Sequence, residues 1–346
     1  MNKRKRIRIY IKIICAFFVI FSIVAFLGVW IAHKIVFDRV DYEQYDREHY
    51  LLYSDLDEKQ YPRDILQIQS GKNILTAYLY GANNSNGLII ISPGHTDASD
   101  IKLYEITFFV DNNWKVLCYD YTGCYNSQGS SMAGYTQSVH DLDAVLTYVE
   151  TSNDYQDIPI VLFGHSLGGY ASAAVLQYKH SVNAAIIASG FDTPKEQWTY
   201  SIERYTGVFH YVLRPFTAMF ISFKYGKEQN LSAVDGINSV DIPILVISGS
   251  HDIFYGGDSP IYRQRNNITN PNCIFEYKTE TNHNGHYDYS LTDEALEYQS
   301  LVNDETFTGE IDKILYCQHD TAFMKSLNDF LLEAISQNYN RFVEST

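Results

Sequence analysis

The sequence lacks the common signatures of cofactor and metal binding. It has no Gly-rich phosphate loop, no dinucleotide fingerprint and no Cys-x-x-Cys pair among its five scattered cysteines. We therefore expect no cofactor and no metal. The cysteines are predicted to be small buried hydrophobic residues, and a bridge between Cys118 and Cys124 is an alternative that nothing else in the sequence supports.

Acidic residues are absent at and before Lys34, although the whole chain carries a net charge of −15. Seven of the 26 basic residues lie in that first stretch, so the remaining 19 basic and 41 acidic residues give residues 35–346 a charge of −22. An acidic body argues against nucleic acid as a partner and against flat binding to anionic lipid.

A basic stretch followed by an uncharged apolar run opens the chain. Residues 1–12 hold six basic residues, and residues 13–32 hold no charge over a length that spans a hydrocarbon layer. A cleaved signal peptide would have a shorter apolar region and a small-residue cleavage site, and a core helix would have a polar face. We predict a cytoplasmic basic segment, a transmembrane signal anchor at 13–32, a stalk at 33–62 and an extracytoplasmic domain at 63–346.

Strand and helix patterns alternate through the rest of the chain. Strands are predicted at 65–69, 74–80, 88–91, 115–119, 160–163, 184–188, 243–247 and 273–277, and helices at 99–110, 137–150, 170–179 and 322–335. This alternation predicts an α/β fold with a mostly parallel sheet, covered by helices on both faces, after an initial antiparallel hairpin. Residues 194–240 break the alternation and are predicted to form an inserted helical cap.

The chemistry centres on a Gly-His-Ser-Leu-Gly turn at residues 164–168. It follows a buried strand and precedes an Ala-rich helix. Gly164 and Gly168 suit a tight turn that holds Ser166 in strained backbone geometry, with its hydroxyl at the carboxyl edge of the sheet. The amide of Leu167 would open the helix, where free N–H groups favour an oxyanion. Five residues alone are a weak signal, but the strand and helix around them make it strong.

These features resemble the α/β-hydrolase-fold serine hydrolases over about residues 64–340. The loop from Asp120 to Gly129 is similar to the family's Asp-x-Arg-Gly-x-Gly-x-Ser-x-Gly loop, with Thr122 in place of the arginine and Tyr125 in place of the second glycine. Because that loop braces the site, the departures concern its packing more than its chemistry. The resemblance implies an α/β-hydrolase fold and a Ser, acid, His order along the chain.

The resemblance also implies the second oxyanion-hole donor. The family's His-Gly loop corresponds to residues 92–97, where Pro93 replaces the histidine. By this alignment the donor is the backbone N–H of His95, with Thr96 as a second candidate. The imidazole of His95 is expected to have no catalytic part.

An acid and a base complete the implied triad. Asp252 follows the predicted strand at 243–247 and matches the family's acid, with Asp192 as the fallback. Gly285-His286 resembles the family's Gly-His pair, so His286 is the predicted base, and His283 is its rival. The loop could instead bind a metal through both histidines and Asp288, but His-x-x-His is a weak metal signal outside a helix.

The cap is rich in aromatic residues, which could wall an apolar acyl pocket, although most are expected to pack cap onto core. They are Trp198, Tyr200, Tyr205, Phe209, Tyr211, Phe216, Phe220, Phe223 and Tyr225.

The expected protein is a membrane-anchored extracytoplasmic serine hydrolase that cleaves an acyl ester or lysophospholipid-like substrate through an acyl-enzyme. A serine peptidase or amidase would use the same triad. A non-catalytic surface protein that retains the fold is the alternative from another class, and the departures at Pro93 and Thr122 keep it open.

Overall fold

A single eight-stranded sheet organises the computed structural model, which describes residues 3–304 and 306–345. The strands are β1 (Arg63–Ser70), β2 (Asn73–Tyr80), β3 (Leu88–Ser92), β4 (Lys115–Tyr119), β5 (Ile160–His165), β6 (Ala184–Ala188), β7 (Ile244–Gly249) and β8 (Cys273–Lys278). Their spatial order is β1-β2-β4-β3-β5-β6-β7-β8. β2 is antiparallel to β1 and β4, and all the other pairs are parallel. The predicted hairpin and mostly parallel sheet are confirmed.

Helices cover both faces of this sheet. They are α1 (Lys3–Val36), α2 (Leu103–Asp111), α3 (Tyr135–Thr151), α4 (Leu167–Ala174), α5 (Pro194–Thr206), α6 (His210–Tyr225), α7 (Ala233–Asn238), α8 (Pro260–Arg263), α9 (Asp293–Val302), α10 (Lys313–Tyr316) and α11 (Thr321–Ser345). One core lies under α3 and α4, and the other lies under α2 and α11. Because both faces are covered, β3, β5, β6 and β7 are buried at every residue rather than at alternate ones.

One predicted helix begins differently. The helical pattern at 99–110 opens with a 3₁₀ turn, Ser99–Lys102, before α2 starts. The amide and the hydroxyl of Ser99 both donate to Asp120 Oδ1, at 3.0 and 2.9 Å, which ties this turn to the loop after β4. Periodicity alone does not report such a tether.

The cap lies between β6 and β7, where the alternation breaks. Thr193 caps the start of α5 by accepting a hydrogen bond from the amide of Glu196. Gly207 and Gly226, with φ of +52° and +54°, end α5 and α6 in a conformation that glycine adopts without a Cβ penalty. The two helices therefore form a hairpin with a short turn at Gly207–Phe209.

The cysteines are all free in the described chain, so the Cys118–Cys124 bridge does not form. These two residues are buried, as predicted, and burial raises the pKa of both thiols. Cys15 is exposed on α1, which differs from the prediction, because that helix is largely uncovered by protein.

Helix α1 is long and apolar enough to cross a membrane. The chain that follows it lies against the domain: in isolated backbone β-bridges, Asp38 pairs with Ser131 and Val40 pairs with Cys124. The guanidinium of Arg39 donates to three backbone carbonyls of the loop after β4, those of Tyr125, Ser127 and Gly129. The boundaries of anchor, stalk and domain remain predictions, and residues 1–2, 305 and 346 of the predicted segments lie outside the described residues.

Candidate active site

The Ser166 turn has the predicted strained geometry. β5 ends at His165, α4 begins at Leu167, and Ser166 between them has φ +56° and ψ −113°. A Cβ on Gly164 would collide with the carbonyl of Gly168, and a Cβ on Gly168 would collide with that of Ser92. Only glycine fits these close backbone approaches, so the two glycines are explained by space as well as by conformation.

The acid and the base predicted for the triad are hydrogen-bonded to each other. Asp252 is fully buried, and its Oδ2 lies 2.6 Å from His286 Nδ1. Its Oδ1 accepts the backbone amide of Phe254 at 2.8 Å. Because a carboxylate only accepts, Nδ1 carries the proton and Nε2 of His286 is left as the basic nitrogen.

His286 lies next to the serine turn. Its ring centroid is 4.8 Å from that of His165 and 5.6 Å from that of Tyr255. The Tyr255 hydroxyl donates to the Ser189 carbonyl at 3.1 Å, and burial raises the pKa of that phenol well above its ordinary value. The structure thus places the His286–Asp252 pair beside the turn that carries Ser166, and the catalytic roles of the three residues remain predictions.

The two rival residues are engaged elsewhere. His283 Nε2 lies 2.8 Å from Asp293 Oδ1, on α9, so it faces a different carboxylate from His286. Asp192 accepts hydrogen bonds from Ser232 Oγ at 2.7 Å and from the amide of Val234 at 2.9 Å, and therefore anchors the start of α7.

The alternative that this loop binds a metal would need a cluster of ligands. Within the described residues, no group of three or more His, Cys, Asp or Glu side chains is arranged to hold a metal. Asp288 uses its carboxylate to accept the amide of Gly285 at 2.6 Å, which shapes the turn that carries His286.

The loop at residues 92–97 lies against the start of α4, since Gly168 approaches the backbone of Ser92 and Pro93. Tyrosine hydroxyls from the neighbouring loop hold it: Tyr121 donates to the Pro93 carbonyl at 2.9 Å, and Tyr125 donates to the Thr96 carbonyl at 2.5 Å. Tyr125, one departure from the family pattern, is thus a brace for the loop that carries the predicted amide of His95.

Thr122, the other departure, is bound to a buried carboxylate. Its amide and hydroxyl both donate to Asp141, each at 2.8 Å. The imidazole of His95 packs edge-on against Phe37 at 5.5 Å between ring centroids, and burial lowers its pKa to about 4. That only the amide of His95 has a role in the site remains a prediction.

A cleft of about 900 Å³, which the sequence did not predict, opens beside His286 and His165. Lys102 and Glu105 form a buried ion pair in it, with Nζ 3.0 Å from Oε1. Tyr287 donates to the same Oε1 at 2.9 Å. In the sequence these two charges are three residues apart in an amphipathic helix, a spacing typical of solvent-exposed pairs.

The imidazole of His165 faces this cleft, and burial lowers its pKa well below the ordinary value. Neither of its ring nitrogens has a hydrogen-bond partner in the described structure. The serine turn therefore presents a neutral, unpartnered ring to the cleft.

Comparison with known proteins gives a family match over part of the chain. A family model described as serine aminopeptidase, S33, matches residues 83–234, a segment that contains Ser166 and ends before Asp252 and His286. No curated protein matches the chain.

Solved structures give a broader likeness. Acetyl xylan esterase 1 from Thermoanaerobacterium sp. is 13% identical, over 89% of this chain and 93% of that one, with a TM-score of 0.56. The Pyrococcus furiosus esterase Pf2001 is 16% identical, over 67% and 86%, with a TM-score of 0.52. Est1E from Butyrivibrio proteoclasticus, solved with ferulic acid bound, is 16% identical over 78% and 99%, with a TM-score of 0.50. At these identities the likenesses show the fold alone, and the chain has the α/β-hydrolase fold.

Proposed function

We propose that this protein is a membrane-anchored, extracytoplasmic serine hydrolase that cleaves carboxylic esters. The observation that carries the proposal is the 2.6 Å contact between Asp252 and His286 next to the strained Ser166 turn. A serine hydroxyl needs such a base, and the base needs an acid that orients it.

In the proposed reaction, His286 Nε2 takes the proton of Ser166 as Oγ attacks the ester carbonyl carbon. The amides of Leu167 and His95 hold the oxyanion of the tetrahedral intermediate. Its collapse expels the alcohol, which receives the proton from His286 and leaves an acyl-enzyme. Water then attacks that acyl-enzyme with the same histidine as base and releases the acid. Asp252 keeps Nδ1 protonated and stabilises the imidazolium.

The substrate class proposed is an acyl ester, including lysophospholipid-like esters. Solved structures titled as esterases share the fold, and the aromatic cap suits an apolar acyl group. The serine aminopeptidase description of the matching family keeps a peptidase or amidase as the second candidate. Hydrolysis of matched ester and amide substrates by the same preparation would separate the two.

The anchoring part of the proposal rests on α1 and its basic start. The apolar run at 13–32 is long enough to span a bilayer, and six basic residues precede it. A reporter fused after Tyr50 should be active outside the cell. Reporter activity in the cytoplasm would overturn this topology.

The central experiment treats the full-length protein in detergent with a fluorophosphonate probe and maps the modified residue by mass spectrometry. Ser166 should be labelled, and His286→Ala should abolish the labelling. His283→Ala is the matched control, and its labelling rate should stay within a few-fold of that of the unsubstituted protein. Loss with His283→Ala instead would move the base by three residues, and a folded protein that is not labelled would favour the non-catalytic alternative.

A further inference from the structure

The cap presents an apolar face that nothing in the described chain covers. Seven of its large apolar side chains are half or more exposed: Tyr205, Val208, Phe209, Tyr211, Val212, Met219 and Phe223. We call these seven residues the cap face. Val212, Met219 and Phe223 are spaced by seven and four residues, so they form one stripe of α6. Soluble proteins seldom leave so large an apolar surface in water without a function.

The cap face is continuous with the apolar surface of α1. Helix α6 packs along α1 through the ring pairs Phe21–Phe216 and Phe26–Phe220, each with centroids 5.9 Å apart. The earlier phenylalanine of α1 packs on the earlier one of α6, and the later on the later, so the two helices run in the same direction. The remaining sides of α1 are exposed and apolar at residues that include Phe17, Phe18, Val24, Leu27 and Ile31.

The length of α1 decides where the cap lies if that helix crosses a bilayer. Only residues 13–20 of the uncharged run precede Phe21, the first residue of that run to pack on the cap, and eight helical residues rise about 12 Å. A hydrocarbon layer is roughly 30 Å thick, so α1 cannot cross it while the cap stays outside. Ala32 lies 11 residues beyond Phe21, a rise of about 16.5 Å, which places Phe216 near the middle of the hydrocarbon layer.

The charge of α6 suits this position. The helix carries Arg214 and Lys224 and no acidic residue, whereas residues 35–346 as a whole carry −22. Lys224 is exposed and lies eight residues beyond Phe216, about 12 Å nearer the outer surface, where its side chain can reach phosphate headgroups while its stem lies among acyl chains.

We propose that the α5–α6 hairpin is inserted in a phospholipid bilayer beside α1. This inference rests on the anchoring proposed above and adds a second membrane contact on the cap. The hairpin also borders the candidate active site: Tyr200 of α5 lies 6.2 Å from the Tyr255 ring, and the Arg204 guanidinium lies 5.2 Å from the Phe254 ring. An acyl ester can therefore approach the site from the lipid along the cap.

The test places a fluorescent probe on the cap face of the full-length protein in phosphatidylcholine vesicles. Val208→Cys, in a Cys15→Ala background, is labelled with a nitrobenzoxadiazole probe, and the labelled site is verified by mass spectrometry. Ile65→Cys is the matched control, because both residues are exposed β-branched aliphatics and Ile65 lies on β1. Lipids with spin labels on their acyl chains should quench the Val208 probe at least twofold and leave the Ile65 probe unchanged.

Two outcomes would distinguish an error in the cap proposal from an error in the anchor proposal. If the chain resists alkaline carbonate extraction but aqueous iodide quenches both probes equally, the cap is outside the bilayer and this inference is wrong. If carbonate extracts the unsubstituted chain, the anchor is wrong and the inference falls with it.

Activity provides a second readout. A Val208→Ser, Phe209→Ser double variant should lose about tenfold in hydrolysis of a long-chain ester embedded in vesicles, and keep its rate on a short water-soluble ester within twofold. Ile65→Ser should change neither rate. Equal rates of the double variant and the unsubstituted protein on the embedded ester would contradict the proposal.

Discussion

Replacement of Asp252 by asparagine tests the proposed chemistry with almost no change in shape. Oδ1 of Asp252 accepts the Phe254 amide at 2.8 Å, and Oδ2 faces His286 Nδ1 at 2.6 Å. The backbone N–H of Phe254 can only donate, so the asparagine carbonyl must take the Oδ1 position. Its NH₂ group then points at His286 and forces Nδ1 to accept a hydrogen bond.

That change of tautomer moves the imidazole proton to Nε2, the nitrogen that must accept the proton of Ser166. We expect kcat to fall by a factor on the order of 10³ to 10⁴, as expected when an otherwise intact triad holds the wrong tautomer. This corresponds to about 4 to 5.5 kcal/mol of transition-state stabilisation. Stability should change by only about 1 kcal/mol, because the bond to Phe254 survives.

The assay measures steady-state hydrolysis of a short chromogenic ester, fluorophosphonate labelling rates and urea unfolding of the same preparations. Asp192→Asn is the matched control: its carboxylate also accepts a backbone amide, that of Val234, but faces Gln264 rather than a histidine. The Gln264 side-chain amide can flip so that its oxygen accepts a hydrogen bond from the new asparagine. Activity should therefore stay within threefold of that of the unsubstituted protein. Retention of more than a tenth of the activity by Asp252→Asn, or a larger loss with Asp192→Asn, would refute the assignment of the acid.

Three further predictions concern groups around the site. Tyr125→Phe removes the donor to the Thr96 carbonyl, so urea unfolding should show a loss of about 1 to 2 kcal/mol, and kcat should fall more than KM changes. Arg39→Met leaves three carbonyls without their charged donor, and should cost about 2 kcal/mol in the same measurement, with Arg47→Met as a nearby control. Burial lowers the pKa of His319 to about 4, so the unfolded chain binds more protons between pH 4 and 6.5 and stability is lost as pH falls through that window. His319→Gln should flatten the dependence by up to about 1.4 kcal/mol per pH unit, and an unchanged slope would contradict it.

Local sterics and periodicity explain why the sheet and the serine turn were predictable. Apolar strands such as β6 stop at the same residues in the sequence and in the structure, because a strand buried on both faces must be apolar along its whole length. The turn at Ser166 was predictable because its two glycines are required by close backbone contacts. Gly164 lies against Gly168, four residues later, and Gly168 lies against Ser92 at the end of the neighbouring strand β3.

The choice between His283 and His286 needed the tertiary structure. Both histidines lie in one loop and both meet a carboxylate, Asp293 for the first and Asp252 for the second. Asp293 lies 10 residues from His283 and Asp252 lies 34 residues from His286, and local pattern does not encode which carboxylate a ring will face.

What the sequence alone determined is therefore the fold class, the strained turn and the residue types available for catalysis, since these depend on periodicity and on close local packing. The tertiary structure decided which side chains meet. It buried the Lys102–Glu105 pair that spacing assigns to solvent, and it placed Arg39 on the loop beside the site. It also laid α6 along α1. Each of these outcomes depends on residues far apart in the chain, since Tyr287 donates to Glu105 of the buried pair, and their energies depend on the whole fold rather than on any one segment.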